Sequence, residues 1–195
     1  MTFQFLKYLI PIAVISTPVA AFAGPFGLEM GMMQGDLSIE LTELNPAAHP
    51  THSSNTAPLP NKMFDRYLYK FGESGLCSVR GVGSFALSDD TLGAGVSSQT
   101  NKVIDLLKVK YGDPVEINKY PISNVEPLGL MWNIRENHMH YSVEWKSVGD
   151  KSLPSNIQSI YLSSSAKTQT SATISIDYSF TNYSGCSGEL NSSGL

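Results

Sequence analysis

The sequence has few cysteines, few charged residues and, past its first residues, no long apolar run. It has 2 cysteines in 195 residues, 15% charged residues, and 13 basic against 17 acidic side chains. No cluster of Lys and Arg is present, which argues against nucleic acid or an anionic membrane surface as a partner, because both need concentrated positive charge. Beyond the N-terminus no run approaches the roughly 20 apolar residues that cross a bilayer. We therefore expect no membrane span.

The one long apolar stretch lies at the N-terminus and has the layout of an export signal. Lys7 gives a positive start, residues 9–20 form an almost wholly apolar run with two prolines, and residues 21–23 (Ala-Phe-Ala) match the small-x-small pattern that signal peptidases cut. Such a short run with such an ending is typical of a secretory signal and not of a membrane span. The sequence therefore predicts a signal peptide over residues 1–23 and a soluble chain from residue 24 that is periplasmic or secreted.

The two cysteines, Cys77 and Cys186, are far apart in the chain. In an oxidising compartment, two thiols of one exported chain usually pair. A redox-active pair needs close spacing, such as C-x-x-C, which is absent here. We predict a structural disulfide between Cys77 and Cys186 that closes a loop of about 110 residues. Two free or reactive thiols are the alternative.

The first part of the chain contains many turn-forming residues. Residues 24–33 are predicted to begin as a short extended segment, and Asp36 is a plausible first cap of a short helix that ends at Asn45. The helix is predicted from apolar residues at helical spacing: Leu37, Leu41 and Leu44. Residues 45–61 hold four prolines among polar residues. They predict a long surface loop that is either mobile or functional.

The middle of the chain gives clearer patterns. Residues 64–87 alternate in polarity around a Gly-containing turn at 72–75, which predicts a β-hairpin. A helix is predicted from Thr100 to Tyr111, and Gly112 ends it as a C-terminal cap. The residues of its apolar stripe are Val103, Ile104, Leu106, Leu107 and Tyr111. A short strand follows at 115–120.

The last third of the chain is mostly strand, after a second, shorter helix predicted over 127–136. Three segments, 140–146, 157–163 and 174–180, alternate apolar residues with Ser, Asp and other polar residues. This pattern predicts an antiparallel meander with one buried and one wet face. The helix at 100–111 is the natural cover for the buried face. The fold class is thus α+β in two layers, with one or two helices on an antiparallel sheet.

The length fits one domain over residues 24–195. A division into two subunits of one fold, 24–90 and 98–186, is the alternative.

Two short phrases carry a resemblance to a known family. Residues 31–37 (Gly-Met-Met-Gln-Gly-Asp-Leu) are similar to the G-M-[ST]-x-x-[DE]-[VL] start of a short helix in small bacterial envelope domains, and residues 107–114 resemble the L-x-G-x-P close of such a helix. The phrases resemble the family of the outer-membrane assembly lipoprotein BamE and the similarly folded β-lactamase inhibitor proteins. This resemblance implies helices packed on an antiparallel sheet, a unit that the inhibitors repeat in tandem, and a role in binding or scaffolding.

The histidines suggest a metal site only weakly. His49 and His52 are three residues apart, and His138 and His140 could complete a ligand set from afar. A metal site needs three or four ligands and a second shell that orients them. We interpret these residues as loop and surface histidines, and we assign no metal and no cofactor.

The motifs of nucleophilic catalysis and phosphate binding are incomplete. Residues 81–85 (Gly-Val-Gly-Ser-Phe) come near a nucleophile elbow but lack its final glycine. The run 75–83 lacks the order of a phosphate-binding loop and a following helix. We interpret its glycines as turn and bulge residues and assign no catalytic residue.

Carboxylates offer the strongest enzymatic alternative. The adjacent acids at 89–90 lie in a polar link and are expected to face solvent. Glu136 and Glu144 could act as an acid–base pair, with Trp132 and Trp145 as sugar-stacking rings. However, strand alternation places Trp145 on the face opposite Glu144. Core packing of Trp145 is therefore the favoured interpretation.

Tyrosines on the predicted strands are the remaining candidates for a binding surface: Tyr67, Tyr69, Tyr161 and Tyr178. Tyrosine is enriched where proteins bind each other, and it is equally common on half-buried strands. The structural interpretation is favoured.

We expect an exported, non-catalytic binding or scaffold protein of the bacterial envelope. Its partner is expected to be another envelope protein, and its recognition surfaces are the exposed sheet face and the loop at 45–61. The alternatives are an exported hydrolase of cell-wall or sugar polymers, with Glu136 or Glu144 in acid–base roles, and an inhibitor of an extracellular enzyme.

Overall fold

The computed structural model describes residues 24–45, 51–86, 94–121, 139–168 and 170–186. The described strands are β1 Thr42–Asn45, β2 Thr51–Ser54, β3 Arg66–Gly72, β4 Gly75–Ala86, β5 Glu116–Pro121, β6 Met139–Lys146, β7 Ile157–Thr168 and β8 Ser171–Phe180. The described part of the chain also has the helix α1 Ala94–Tyr111 and three 3₁₀ turns, Pro25–Gly27, Gln34–Asp36 and Tyr183–Gly185. The predicted signal peptide and the predicted helix at 127–136 lie outside the described residues.

All eight strands form one antiparallel sheet in the order β1-β2-β3-β4-β8-β7-β6-β5. The sheet consists of two four-stranded meanders, β1–β4 and β5–β8, whose last strands pair at the centre. These meanders lie within the two ranges, 24–90 and 98–186, that the sequence offers as subunits. The α+β class is as predicted, and the sheet is larger than the predicted three-stranded meander. Among the described residues, no helix has both the length and the apolarity to cross a membrane.

One face of the sheet forms the core. Along β8 every second side chain is buried, and the strand's buried residues are Ala172, Ile174, Ile176, Tyr178 and Phe180. Registered neighbours extend this buried row across the sheet, since Ile176 pairs with Leu162 on β7 and Leu162 pairs with Val143 on β6. Trp145 is 1% exposed on this face, and its indole N–H donates to the Gly112 carbonyl at 2.8 Å. The predicted alternation of β6 is confirmed, with Trp145 opposite Glu144.

Two kinds of cover protect the core face. Helix α1 covers the half formed by β5–β8, and its buried apolar residues are Val96, Val103, Ile104 and Leu107. Non-helical segments supply the other buried covering residues: Leu28, Leu37, Ala57 and Phe64. Gly81 on β4 makes this second cover possible, because a Cβ there would lie 2.9 Å from the Phe26 ring and 3.1 Å from the Phe64 ring. This glycine permits close packing in mid-strand and does not form the turn or bulge that the sequence predicts.

Helix α1 begins at Ala94, six residues before the predicted start at Thr100. Thr100 is fully buried, and its hydroxyl donates to the Val96 carbonyl at 2.7 Å and contacts the Ser164 hydroxyl at 2.7 Å. Because its hydroxyl has hydrogen-bond partners inside the fold, Thr100 lies within the helix and does not mark its first residue. The predicted C-terminal cap is confirmed: Gly112 has φ +80° and donates to the Lys108 carbonyl at 2.9 Å.

The predicted helix from Asp36 to Asn45 is wrong. Gln34–Asp36 is a single 3₁₀ turn, in which the Asp36 carboxylate accepts from the Met33 N–H at 2.8 Å. The chain is then extended into β1, which pairs with β2. Only Leu37 of the three predicted stripe leucines belongs to the buried core, while Leu44 is 53% exposed. The segment forms a strand because pairing with β2 satisfies its backbone hydrogen bonds, and this pairing does not need the apolar stripe that a packed helix needs.

The predicted loop at 45–61 is wrong in part, because β2 lies inside it and pairs with both β1 and β3. The predicted extended segment at 24–33 is also interrupted, by the 3₁₀ turn Pro25–Gly27. The predicted hairpin is confirmed as β3 and β4, whose tight turn uses Gly75 at φ +82°. The short strand predicted at 115–120 is β5.

Candidate functional site on the open face of the sheet

The face of the sheet opposite the core is named the open face. Strand register makes a continuous row of its side chains across the sheet: Thr42, Ser53, Leu68, Arg80, Asp177, Tyr161, Glu144 and Glu116. On β7 and β8 the open face consists mostly of short hydroxyl side chains: Ser159, Ser163, Ser165, Thr173, Ser175 and Ser179. The Ser163 and Ser175 hydroxyls lie 3.0 Å apart and form a cross-strand hydrogen bond. On these two strands the open face therefore carries mostly short polar side chains, whereas the core face is bulky and apolar.

An ion pair lies at the centre of the open face. The Arg80 guanidinium Nε donates to a carboxylate oxygen of Asp177 between β4 and β8. The side chain of Asp177 is 19% exposed and that of Arg80 is 49% exposed. Burial raises the pKa of Asp177, although the positive charges of Arg80 and Lys70 act in the opposite direction. The carboxylate is thus held in a partly dehydrated position between cations.

A cavity of about 340 Å³ opens above this ion pair, and we name it the central pocket. Its lining residues are Thr51, Leu68, Lys70, Ser78, Arg80, Tyr161, Asp177, Ser179 and Tyr183. Lys70 Nζ lies 5.8 Å from the centroid of the Tyr183 ring, within the range of a cation–π contact. Tyr161 is 42% exposed. The central pocket therefore combines two cations, one anion, hydroxyl groups and two aromatic rings.

The predicted disulfide is confirmed and holds one wall of the central pocket. Cys77 on β4 is joined to Cys186, with their Cα atoms 6.3 Å apart. Cys186 directly follows the 3₁₀ turn that carries Tyr183, and the Asn182 side chain donates to the Leu76 carbonyl at 3.2 Å. The covalent bond and this hydrogen bond fix the turn against β4. Tyr183 is thereby held beside Lys70.

The structure gives little support to the hypothesis that Glu136 and Glu144 act as an acid–base pair. The Glu144 carboxylate accepts from Lys146 Nζ at 2.8 Å, and this contact raises the pKa of Lys146. Trp145 is buried on the opposite face, so it cannot stack on a sugar held beside Glu144. Glu136, Trp132 and the acids at 89–90 lie outside the described residues. Glu116 is the acid that the sheet places opposite Glu144.

The histidines are not brought together in the described residues. His52 is on β2, 5% exposed, with its ring edge against Phe71 at a centroid distance of 5.5 Å. It is therefore a core histidine and not the predicted surface histidine. His49 and His138 lie outside the described residues, and only the backbone of His140, on β6, is described. Within the described ranges, no group of three or more His, Cys, Asp or Glu side chains could hold a metal ion.

Three of the four candidate tyrosines belong to the core. The Tyr69 hydroxyl donates to the Thr56 carbonyl at 2.9 Å, and the Tyr67 hydroxyl donates to the Asn61 carbonyl at 3.2 Å. The centroid of the Tyr178 ring lies 6.3 Å from that of Tyr111, and burial raises the pKa of Tyr111 to about 12. Only Tyr161 of the four is exposed.

Ser84, the serine of the near-elbow at 81–85, lies in the straight strand β4 and not on a turn. Its backbone N–H donates to the Asp65 carboxylate at 3.2 Å. The segment is therefore structural.

Sequence reasoning missed Lys70, Arg80, Asp177 and Tyr183 as a group. Alternation along β4 indicates that Arg80 lies on the polar face, but the pairing that brings it to Asp177 joins residues 97 positions apart. Searches against family models, curated proteins and solved structures found no match for the chain.

Proposed function

We propose that this chain is an exported binding protein of the bacterial envelope that holds another protein on the open face of its sheet. The observation that carries the proposal is the contrast between the two faces. The described helix and covering segments pack on the core face, while the open face presents short hydroxyl side chains around Arg80 and Tyr161. Arg and Tyr are enriched in the cores of protein interfaces, and short neighbours let a partner approach them closely.

The dimensions of the open face suit a protein partner. Eight strands spaced about 4.8 Å apart span roughly 34 Å, and the central strands are about 30–40 Å long at 3.3 Å per residue. A standard interface buries about 800 Å² on each side. The open face is large enough to supply that area. The central pocket, a cavity of about 340 Å³, involves only the residues around its centre.

The disulfide supports the proposed location. A bond between Cys77 and Cys186 is compatible with an oxidising compartment outside the cytoplasm. The predicted signal peptide over residues 1–23 is the second, independent support.

The family that the sequence resembles has inhibitor members, and this resemblance supports a binding role. The repeated helix-and-sheet unit of those inhibitors is not part of that support, because only the second meander here carries a described α-helix. Inhibition of an extracellular enzyme is one form that such binding could take. For the hydrolase, in contrast, the described residues place Glu144 in contact with Lys146, and Trp145, the ring predicted to stack on a sugar, is buried on the opposite face. The pairing of Glu144 with Trp145 in a sugar site therefore has no support in the described part of the chain.

Crosslinking pull-down from the native envelope tests the proposal. The tagged chain and two matched variants are compared by quantitative mass spectrometry. Ser165→Arg adds a long side chain on the open face beside Thr173, and Ser98→Arg adds the same side chain at an exposed position of α1. We expect the parent chain and Ser98→Arg to recover the same protein in stoichiometric amount, and Ser165→Arg to lose most of it.

Equal recovery by the two variants would place the partner elsewhere on the surface. Recovery of glycan fragments without a protein would contradict the proposal and favour a carbohydrate-active role.

A further inference from the structure

We propose that the central pocket receives the carboxylate of an Asp or Glu side chain from the protein partner. This proposal depends on the proposed function, since it specifies the chemistry of the partner that the open face binds.

The charges that line the central pocket are unbalanced. Lys70 and Arg80 contribute two positive charges and Asp177 one negative charge. Asp177 pairs with Arg80 through Nε only, and a guanidinium has five N–H donors. No carboxylate among the described residues forms a salt bridge with Lys70. One further negative charge would therefore balance the pocket, and the available donors fit a carboxylate.

The partly buried position of these charges strengthens their interaction with a charged group of the partner. Asp177 is mostly buried, and desolvation raises its pKa against the effect of its cationic neighbours. Electrostatic interactions are stronger where water is displaced, so a partner that closes the pocket gains more from Lys70 and Arg80 than it would at an open surface. The Asp177 carboxylate also fixes the guanidinium in place before the partner arrives, which reduces the entropy lost on binding.

The position of the pocket is that of an interface hot spot. Arg80 and Asp177 lie on β4 and β8, the two central strands of the sheet. Residues that dominate binding energy cluster near the centre of an interface, where surrounding contacts exclude water. The walls of the central pocket can exclude water in this way, because two aromatic rings form part of them. Tyr161 lies on the neighbouring strand β7, and Tyr183 is held by the disulfide-linked turn. Hydroxyls of Ser78 and Ser179 can donate to the remaining carboxylate lone pairs.

Nuclear magnetic resonance titration of the purified chain with small probes tests this assignment. The probe is N-acetylglutamate N-methylamide, and its neutral isostere N-acetylglutamine N-methylamide is the matched control. We expect saturable amide shifts at the central pocket with the glutamate probe at millimolar concentration, and none with the glutamine probe. Lys70→Gln and Arg80→Gln are each expected to weaken binding about tenfold, the usual effect of losing one charge-assisted hydrogen bond.

Two control variants keep the test decisive. Lys102→Gln removes a positive charge from an exposed position of α1 and is expected to leave the affinity unchanged. Lys70→Gln removes a pocket cation without breaking a described ion pair, so it remains informative if Arg80→Gln disturbs the fold. Equal shifts with both probes, or unchanged affinity in both pocket variants, would overturn the proposal.

Glucuronate and inorganic phosphate complete the panel. Tighter binding of either one than of the glutamate probe would assign the pocket to a glycan or to a phosphate group and would also overturn the proposal.

The two proposals fail separately. Loss of the partner by Ser165→Arg with no effect of the glutamate probe contradicts the pocket assignment alone. A specific response to the glutamate probe with no protein recovered from the envelope contradicts the protein-binding function alone.

Discussion

The two faces of the sheet share one backbone, and they differ in how their side chains are used. On the core face, β8 buries Ile174, Ile176 and Tyr178, and their neighbours on β6 and β7 are also large and apolar. On the open face the same strand presents Thr173, Ser175 and Asp177. Because alternate residues of one strand serve opposite faces, stability can concentrate on one face while the other is free to specify a partner.

The largest expected effect comes from a core residue. Trp145→Ala removes the indole from the 1% exposed site and its hydrogen bond to Gly112, so we expect a loss of about 3–5 kcal/mol of unfolding free energy. Urea denaturation followed by circular dichroism measures it. Trp145→Phe, which keeps a ring in place, is the control and should lose much less. A cost below about 1 kcal/mol for Trp145→Ala would contradict the assignment of this face as the core.

The disulfide links the core strand β4 to a wall of the open face, and its removal affects both. The double variant Cys77→Ser with Cys186→Ser is expected to lose about 2–5 kcal/mol of unfolding free energy, because the unfolded chain gains the freedom of a long open loop. The same denaturation experiment is run with and without reductant. Reductant should destabilise the parent chain and leave the double variant unchanged. A parent chain whose stability does not change in reductant would show that the bond is not formed.

High pH is expected to weaken the core face through its tyrosines. Burial raises the pKa of Tyr69, Tyr111 and Tyr178 above the ordinary value of 10, so the folded state keeps protons that the unfolded state releases. Stability is therefore fully present below about pH 10 and falls as pH rises above it, on the order of 1 kcal/mol per pH unit for each such tyrosine. Denaturation at a series of alkaline pH values measures the slope. Tyr111→Phe should reduce it, and an unchanged profile would contradict this origin.

The smallest expected effect is on the open face. Ser175→Ala removes one hydroxyl and its 3.0 Å contact with Ser163, and we expect a change within about 1 kcal/mol. Ile176→Ala, the next residue along β8, is the matched core variant and should cost about 2–5 kcal/mol. Denaturation midpoints of the two variants compare the faces directly. Similar losses at both positions would mean that the open face is itself packed.

The second meander was largely predictable from the sequence. The polar alternation of β6 and β8 and the end of α1 at Gly112 are local patterns, and they match the structure. The stripe of α1 matches in part, because Leu106 is 60% exposed while Val103, Ile104 and Leu107 are buried. The first meander was not largely predictable. Apolar residues between Leu37 and Leu44 fit a helix or an extended chain equally well, and the pairing of β1 with β2 decides between them. The prolines around β2 concealed it, since the strand is only four residues long.

For the candidate site, the sequence predicted only which face of the sheet carries it and not which residues meet there. Alternation along β7 places Tyr161 among polar residues, which identifies it as exposed. The central pocket depends on the pairing of β4 with β8, and no local pattern shows that Arg80 and Asp177 are neighbours. Tyr183 follows the last strand, and its position depends on the covalent link from Cys186. Long-range contacts of this kind carry no periodic signal.

The central place of β8 has a consequence for the order in which the chain folds. As the chain emerges with its N-terminus first, β1 to β4 can assemble early, but β4 then ends in an unpaired edge that invites association with other chains. That edge is closed only when β8, the last of the described strands, is delivered. Such distant pairing slows folding. The sheet is therefore complete only after nearly all of the described chain is available for folding.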